Sequence, residues 1–316
     1  MYQTHFGLRQ RPFRTTPDTA HYYPATTHER ALARMLRAVE DQEGLILLTA
    51  EPGLGKTLVC HTVLERLGDN VASAFLTNSH VRDRLGLLQA ILYELTISHD
   101  GRTEQDARLA LTDFLLKNYA AGRKAILIVD EAQHLSPDLL EELRLLGNLE
   151  ANGGKALQII LAAQPEIADV LELPALAALR QRLAVRVRLD PLPTEEAADY
   201  LLHQVRIAGG RPDMLLAEEA VVLLARATNG VPRRLNQAAH EAFRLAHEAG
   251  APQVDVEAAM EALALLGIEV EETDAPSATE PALQEDCGPL LSLADPIADP
   301  GDADDSERLI QPKRPA

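Results

Sequence analysis

No stretch of this chain approaches the roughly eighteen consecutive apolar residues that a membrane-crossing helix needs, so no bilayer span is expected. The opening residues, "MYQTHFGLRQRPF", lack the apolar centre of a secretory signal, and export by that route is not expected either. Cysteine is nearly absent. Cys60 and Cys287 are the only two, which excludes a disulfide scaffold and points to a reducing, cytoplasmic compartment. Positive charge is scarce as well: 30 Lys and Arg face 48 Asp and Glu, for a net charge of −18. That balance disfavours a surface that grips nucleic acid everywhere, although a local basic patch would survive it.

What is present is enough apolar material for one full core and a second, smaller one, at 46% of 316 residues. The acid is uneven. From Glu272 to Ala316 there are eleven Asp and Glu against three Lys and Arg, with seven prolines in 45 residues. This segment has no helical or alternating period long enough for a core, so residues 271–316 are expected to form a disordered acidic tail. Its apolar island, "GPLLSLADPI", reads most simply as part of an inert tail and alternatively as a docking segment.

Ahead of the tail, the first 190 residues alternate apolar runs with helical stretches. "GLILLTA", "VASAFLTN", "KAILIVD", "ALQIILAA" and "LAVRVRLD" read as five strands. "KTLVCHTVLERLG", "RLGLLQAILYELT", "TEQDARLALTDFLLKNYAAG" and "SPDLLEELRLLGNLE" read as helices between them, the last with Ser136 as cap and Pro137 at its first position. Continuous apolar strands alternating with helices predict a mostly parallel sheet covered on both faces. From "PLPTEEAADYLLHQV" onward the pattern is helical only. An α/β domain over 1–190 and a small helical domain over 191–270 are therefore expected.

The strand "GLILLTA" runs into "AEPGLGKT" at positions 50–57. This matches the phosphate-loop pattern except that Ala50 stands at its first glycine. The chemistry needs backbone N–H groups turned toward phosphates at a helix N-terminus. Gly53 and Gly55 keep side chains out of that nest, Lys56 can reach the outer phosphates, and Thr57 offers a hydroxyl to magnesium. The nucleotide contact region extends over Glu51, Pro52, Gly53, Leu54, Gly55, Lys56, Thr57 and Leu58. Alanine at position 50 is acceptable wherever its φ is negative.

Asp130 and Glu131 close the strand of "AILIVDEAQHL", 74 residues beyond Lys56 in the case of Asp130. Adjacent carboxylates ending an apolar run are costly unless something uses them. Asp130 is the expected magnesium holder and Glu131 the expected polariser of the attacking water. Strand "QIILAAQPEI" ends in Gln164, an amide placed to approach the γ-phosphate. In "NGVPRRLNQ", Arg233 sits in the first turn of a helix against the dipole, a position better explained by an anion than by helix stability; Arg234 is the alternative. Together these predict an ATPase using ATP and Mg²⁺.

The whole combination resembles the AAA+ ATPases of the ExeA-like (general secretion pathway protein A) and TniB-like group. The resemblance rests on "HFGLRQRPFRTTPDTAHYYPATTHERALARM", "LIVDEAQHLSPDLLEELRLLGNLE", "LAAQPEI" and "LRQRLAVRVRLDPL", and covers about residues 1–265. It implies a P-loop sheet in the order 5-1-4-3-2 and ATP-dependent ring or filament assembly. It also assigns Gly53, Gly55, Lys56 and Thr57 to the nucleotide loop, Asp130 and Glu131 to Walker B, Gln164 to sensor 1 and Arg233 to sensor 2. Where secretion members continue into a transmembrane segment and a cell-wall-binding module, this chain has its acidic tail.

Three further expectations follow. Tyr22, Tyr23 and Pro24 stand before a helix and offer adenine contacts, with Tyr23 the named candidate. Arg182, and after it Arg180, precede the fifth strand on the far side from the loop, without an acidic partner at helical spacing; in a head-to-tail homo-oligomer such an arginine would reach the next subunit's γ-phosphate. The ATP cycle would drive a protein partner in a secretion, pilus or polysaccharide system. The alternatives are a DNA-stimulated helper of transposition or replication, and a scaffold that nucleotide merely locks.

Overall fold

The computed structural model describes residues 2–68, 70–77, 81–151 and 153–270; the expected tail at 271–316 lies outside the described residues. Strands β1 (Leu45–Ala50), β2 (Val71–Leu76), β3 (Lys124–Val129), β4 (Gln158–Ala163) and β5 (Val185–Leu189) form one parallel sheet in the order β5-β1-β4-β3-β2. All five expected strands are present, in the order that the resemblance implied. Register is fixed by pairs such as Leu47 opposite Leu161 and Leu48 opposite Val187.

The continuous apolar runs have a simple cause. Side chains alternate across a strand, and both faces here are covered. Ile46, Leu48, Ile126, Ile128, Ile160 and Val187 enter one core layer, where they meet helices α1 (Thr26–Glu40) and α2 (Lys56–Leu67). Leu45, Leu47, Leu127, Val129, Ile159 and Leu161 enter the other, under α3 (Arg84–Glu94), α4 (Glu104–Ala120) and α5 (Pro137–Leu146). β1 has β4 on one side and β5 on the other, so the chain leaving it must cross to β2 at the far edge. A ligand crevice opens outside the carboxyl ends of strands at such a switch.

Pro137 takes the first position of α5 as expected and Ser136 its cap position, but the Ser136 side chain makes no cap hydrogen bond. The helix ends at Leu146, earlier than its pattern suggested, and Glu150–Ala151 pairs with Gly154–Lys155 in a small antiparallel ladder. Across the α4–α5 seam the fully buried Glu142 meets Arg108: Nη2 donates to Oε2 at 2.8 Å, and Nη1 lies 2.5 Å from Oε1. Removing one partner strands a buried charge. Arg108→Ala is expected to lower unfolding stability by about 3 kcal/mol, as read from denaturant titration.

After the short α6 (Ala177–Arg182), four helices make a separate core: α7 (Thr194–Ile207), α8 (Glu218–Ala227), α9 (Pro232–Glu248) and α10 (Val256–Leu265). The first residues of the chain belong to this core by packing. Tyr2, Phe6, Leu8 and Phe13 are buried with Leu201, Leu235 and Phe243. Rings of Tyr2, Phe6 and Phe13 stand within 5.1–5.6 Å of the Phe243 ring. The N-terminal arm is thus fastened to the helical lid, and Tyr22 packs on the α/β core just ahead of α1.

Candidate functional site

The loop after β1 turns at Gly53 (φ 88°) and Gly55 (φ 95°), and α2 begins at Lys56 without any side-chain cap. Its first N–H groups are therefore left for an anion, reinforced by the helix dipole. Ala50 is the buried last residue of β1 and has no positive φ, so the missing first glycine is no obstacle. Its carbonyl accepts a hydrogen bond from Lys56 Nζ at 2.9 Å. Burial pulls the Lys56 pKa down, against the opposing pull of Glu131 and Asp130. From below, His28 on α1 props the loop, with Nε2 2.9 Å from the Leu54 carbonyl.

Gly53 is needed for a second reason. The backbone N–H of Arg233, in the first turn of α9, donates to the Gly53 carbonyl at 3.2 Å. A methyl group on Gly53 would stand 2.9 Å from Arg233 Cβ. Gly53→Ala therefore carries both a backbone penalty of about 1–2 kcal/mol and a displaced lid. ATP affinity is expected to fall at least about tenfold by titration, with the fold intact by circular dichroism.

At the tips of β3 and β4 the polar residues converge. Thr57 Oγ1 donates to Asp130 Oδ2 at 2.5 Å, which places the buried Asp130 carboxylate directly beneath the start of α2. Asp130 Oδ1 accepts the Glu131 backbone N–H at 2.9 Å. Glu131 itself has φ 53°, uncommon for a residue with a side chain. Its Oε2 accepts from Gln164 Nε2 at 3.0 Å and from Gln133 Nε2 at 2.6 Å. Burial raises the Glu131 pKa, but these two amides and the Lys56 charge outweigh it and hold the carboxyl below its ordinary value.

One cavity joins these pieces. Pro52, Gly53, Gly55, Lys56, Thr57 and Leu58 line its floor, and Glu131 and Gln164 line the wall at the strand tips. Arg233 and Pro232 close it from the lid. Of the sequence-assigned loop residues, Leu54 turns its side chain into the core under the loop, and Glu51 is exposed outside the lining. Arg234 is exposed and also outside it.

One assignment needs correction. Tyr23 does not line the cavity: its ring is held edge-on by Tyr200 at 5.9 Å and His203 at 5.2 Å. The far end is built instead by the arm strap Arg14–Asp18 with His21, and by Tyr200, Gln204 and Asn236 of the lid. Asn236 Nδ2 donates to the Arg14 carbonyl at 2.8 Å, Tyr200 Oη to Asn236 Oδ1 at 2.9 Å, and Gln204 Nε2 to the His21 carbonyl at 3.0 Å. Sequence reasoning missed these residues, because only long-range packing of the arm on the lid brings them together. Arg180 and Arg182 stand where the sequence placed them, though with partners it did not show. They lie in the last turn of α6, outside the cavity lining as expected, but Arg180 pairs with Glu172 and Arg182 donates to Asn148 Oδ1. Glu172 escaped notice because a break in the helix, not helical spacing, brings it near.

A family model described as an AAA domain matches residues 39–171. The chain is 36% identical over 259 residues to general secretion pathway protein A of Aeromonas hydrophila, a match covering 80% of this chain and 46% of that protein. It therefore spans about half the length of that relative. Among solved structures, the Aeropyrum pernix ORC2 protein in its ADPNP-ADP complexes is similar at a TM-score of 0.64 and 16% identity, covering 81% of this chain and 71% of the other. The Aeropyrum pernix ORC1 protein in complex with DNA gives 0.61 at 19% identity, covering 81% and 69%. At such identities the likeness to these two is one of fold.

Proposed function

This chain belongs to the AAA+ ATPases of the general secretion pathway protein A-like group, and from that premise we propose that it binds and hydrolyses ATP between loop and lid. We further propose that it does so as a homo-oligomeric switch on a protein partner in a secretion, pilus or polysaccharide assembly system. The observation that carries the hydrolytic reading is the lining of one cavity by Lys56, Glu131 and Gln164.

Magnesium fits the donors present. Thr57 hydroxyl and Asp130 carboxylate are hard oxygen ligands in mutual contact. Among the described residues no group of three His, Cys, Asp or Glu could hold a metal, so an ion here depends on phosphate oxygens as well. When bound, it supplies neutralisation of charge on the phosphates. The remaining work falls to the chain. Backbone N–H groups of 53–57 cradle the phosphates, and Lys56 exchanges the Ala50 carbonyl for a phosphate oxygen. Glu131 takes the proton of the attacking water, and Gln164 holds that water in line. Arg233 brings positive charge from the lid, so lid position and phosphate occupancy are linked.

Assembly would complete the site. Arg182, with Arg180 as second choice, would leave its present partner and meet the neighbouring subunit's γ-phosphate. The rate per subunit is then expected to rise with protein concentration, while Arg182→Ala keeps ATP affinity and loses turnover. Mixing Arg182→Ala with Glu131→Gln should restore part of the rate. A concentration-independent rate with no loss in Arg182→Ala would identify a self-sufficient monomer. The DNA-stimulated alternative gains little from the basic run 180–188, where Arg180 pairs with Glu172 and Arg188 with Asp190. Several-fold stimulation of the ATPase by duplex DNA at moderate salt would reverse that preference.

A further inference from the structure

Beyond Glu131 the chain makes a single tight turn, Ala132–His134, with Gln133 at its centre. Besides a contact of its Nε2 with the neighbouring His134 Nε2 at 3.3 Å, Gln133 has two partners of different kinds. Its Nε2 donates to Glu131 Oε2 at 2.6 Å, and its Oε1 accepts the backbone N–H of Gln164 at 3.1 Å. The Gln164 side chain then returns to the same Glu131 oxygen at 3.0 Å. Three hydrogen bonds thus close a ring that joins the second residue after β3 to the residue after β4.

Independent of the ring is the backbone of Glu131. Among the described residues only Gln42, Thr96 and Asn229 share a positive φ without being glycine. Gln42, Thr96 and Asn229 each lie just beyond a helix end, at Glu40, Glu94 and Ala227, where such a turn is common. Glu131 instead follows a strand and lines the cavity. A side-chain-bearing residue in this region costs about 1–2 kcal/mol, which the surrounding contacts must offset. The ring supplies contacts of that kind.

We propose that Gln133 is a positioning residue for ATP hydrolysis, fixing the Glu131 carboxylate to the tip of β4 so that base and Gln164 act as one unit. The proposal rests on the reading of Glu131 as the group that takes the water's proton. Gln133 is not part of the cavity lining and so does not act through contact with nucleotide. Its removal should change the fate of bound ATP and leave binding alone. This separates it from Lys56 and Arg233, whose loss acts on binding.

The test uses Gln133→Met, close in shape but without the amide, and Gln133→Glu, which keeps an acceptor for the Gln164 N–H but sets a second carboxylate against Glu131. Gln133→Met is expected to lower kcat about 10- to 100-fold, the cost of a misplaced catalytic group, with ATP Kd unchanged within about twofold. Gln133→Glu should be slower still, because like charges in contact repel. A role confined to filling the turn predicts the reverse order, or a loss that follows melting temperature. A readout without nucleotide is exchange of the Gln164 backbone amide, which should lose protection in Gln133→Met and keep it in Gln133→Glu. Placed on Glu131→Gln, Gln133→Met should add little further loss of turnover, since the two act through one group. If Gln133→Met turns over at the wild-type rate while Glu131→Gln does not, the proposal is overturned and the reading of Glu131 stands. If Glu131→Gln is itself fully active, that reading fails first, and the positioning proposal falls with it.

Discussion

Glu131→Gln is expected to bind ATP as well as the parent chain and to turn it over about 100- to 10,000-fold more slowly, the contribution typical of a positioned general base. The reasoning follows the geometry. Glu131 lines the cavity, with its Oε2 held by the amides of Gln164 and Gln133. Glutamine is nearly isosteric, so the loop, Lys56 and lid contacts persist. What is lost is a group able to accept a proton from water. Because ATP then stays bound, any nucleotide-dependent oligomer should accumulate, as read by light scattering. Steady-state phosphate release and a binding titration check the two halves separately. A rate within about twofold of the parent would move the base elsewhere.

Lys56→Ala should act on the other parameter. Lys56 is buried, and its ammonium now rests on the Ala50 carbonyl at 2.9 Å, within electrostatic reach of Glu131 and Asp130. Without it, a triphosphate entering the loop would face two carboxylates with no ammonium of the chain between them. Truncating one partner of a buried charged contact costs about 2–5 kcal/mol, so a loss of roughly 100-fold in ATP affinity is expected. Unchanged affinity by titration would place the nucleotide elsewhere.

The α/β layers were legible in the sequence because burial on both faces forces strands such as "LILLTA" and "QIILAA" to be apolar throughout, and turns and caps punctuate them. The loop and the two carboxylates were legible for a related reason. A glycine-rich turn ending in Lys-Thr between a strand and a helix, and charges at the end of an apolar strand, are rare unless chemistry requires them. Gln164 was legible by its place at a strand tip. The far end of the cavity was not. Tyr23 looked like a base contact in one dimension, whereas its ring is held by Tyr200 and His203, residues about 180 positions away. The arm's place on the lid depends on contacts such as Asn236 to Arg14, 222 residues apart, for which no local pattern exists. Gln133 lay in plain view in "DEAQHL", yet its meaning depends on a hydrogen bond to Gln164 that only the pairing of β3 with β4 creates.

These contrasts bear on the lid. Chain order would assign the arm before α1 to the α/β layers, whereas Tyr2, Phe6, Leu8, Phe13 and Ala25 pack with α7–α10. Strap and lid are sewn together by Gln204, Asn236 and Tyr200, and both line the same cavity. Nucleotide would therefore meet arm and lid as a single surface opposite the loop.

The most direct test of the central claim is phosphate release by the purified chain in ATP and magnesium, measured side by side with Lys56→Ala and Glu131→Gln. The account predicts release by the parent chain that saturates with ATP, release at least about 100-fold slower by Glu131→Gln with ATP binding retained, and ATP binding weakened roughly 100-fold in Lys56→Ala. Equal release by all three proteins, or ATP binding by Lys56→Ala as tight as by the parent, would contradict it.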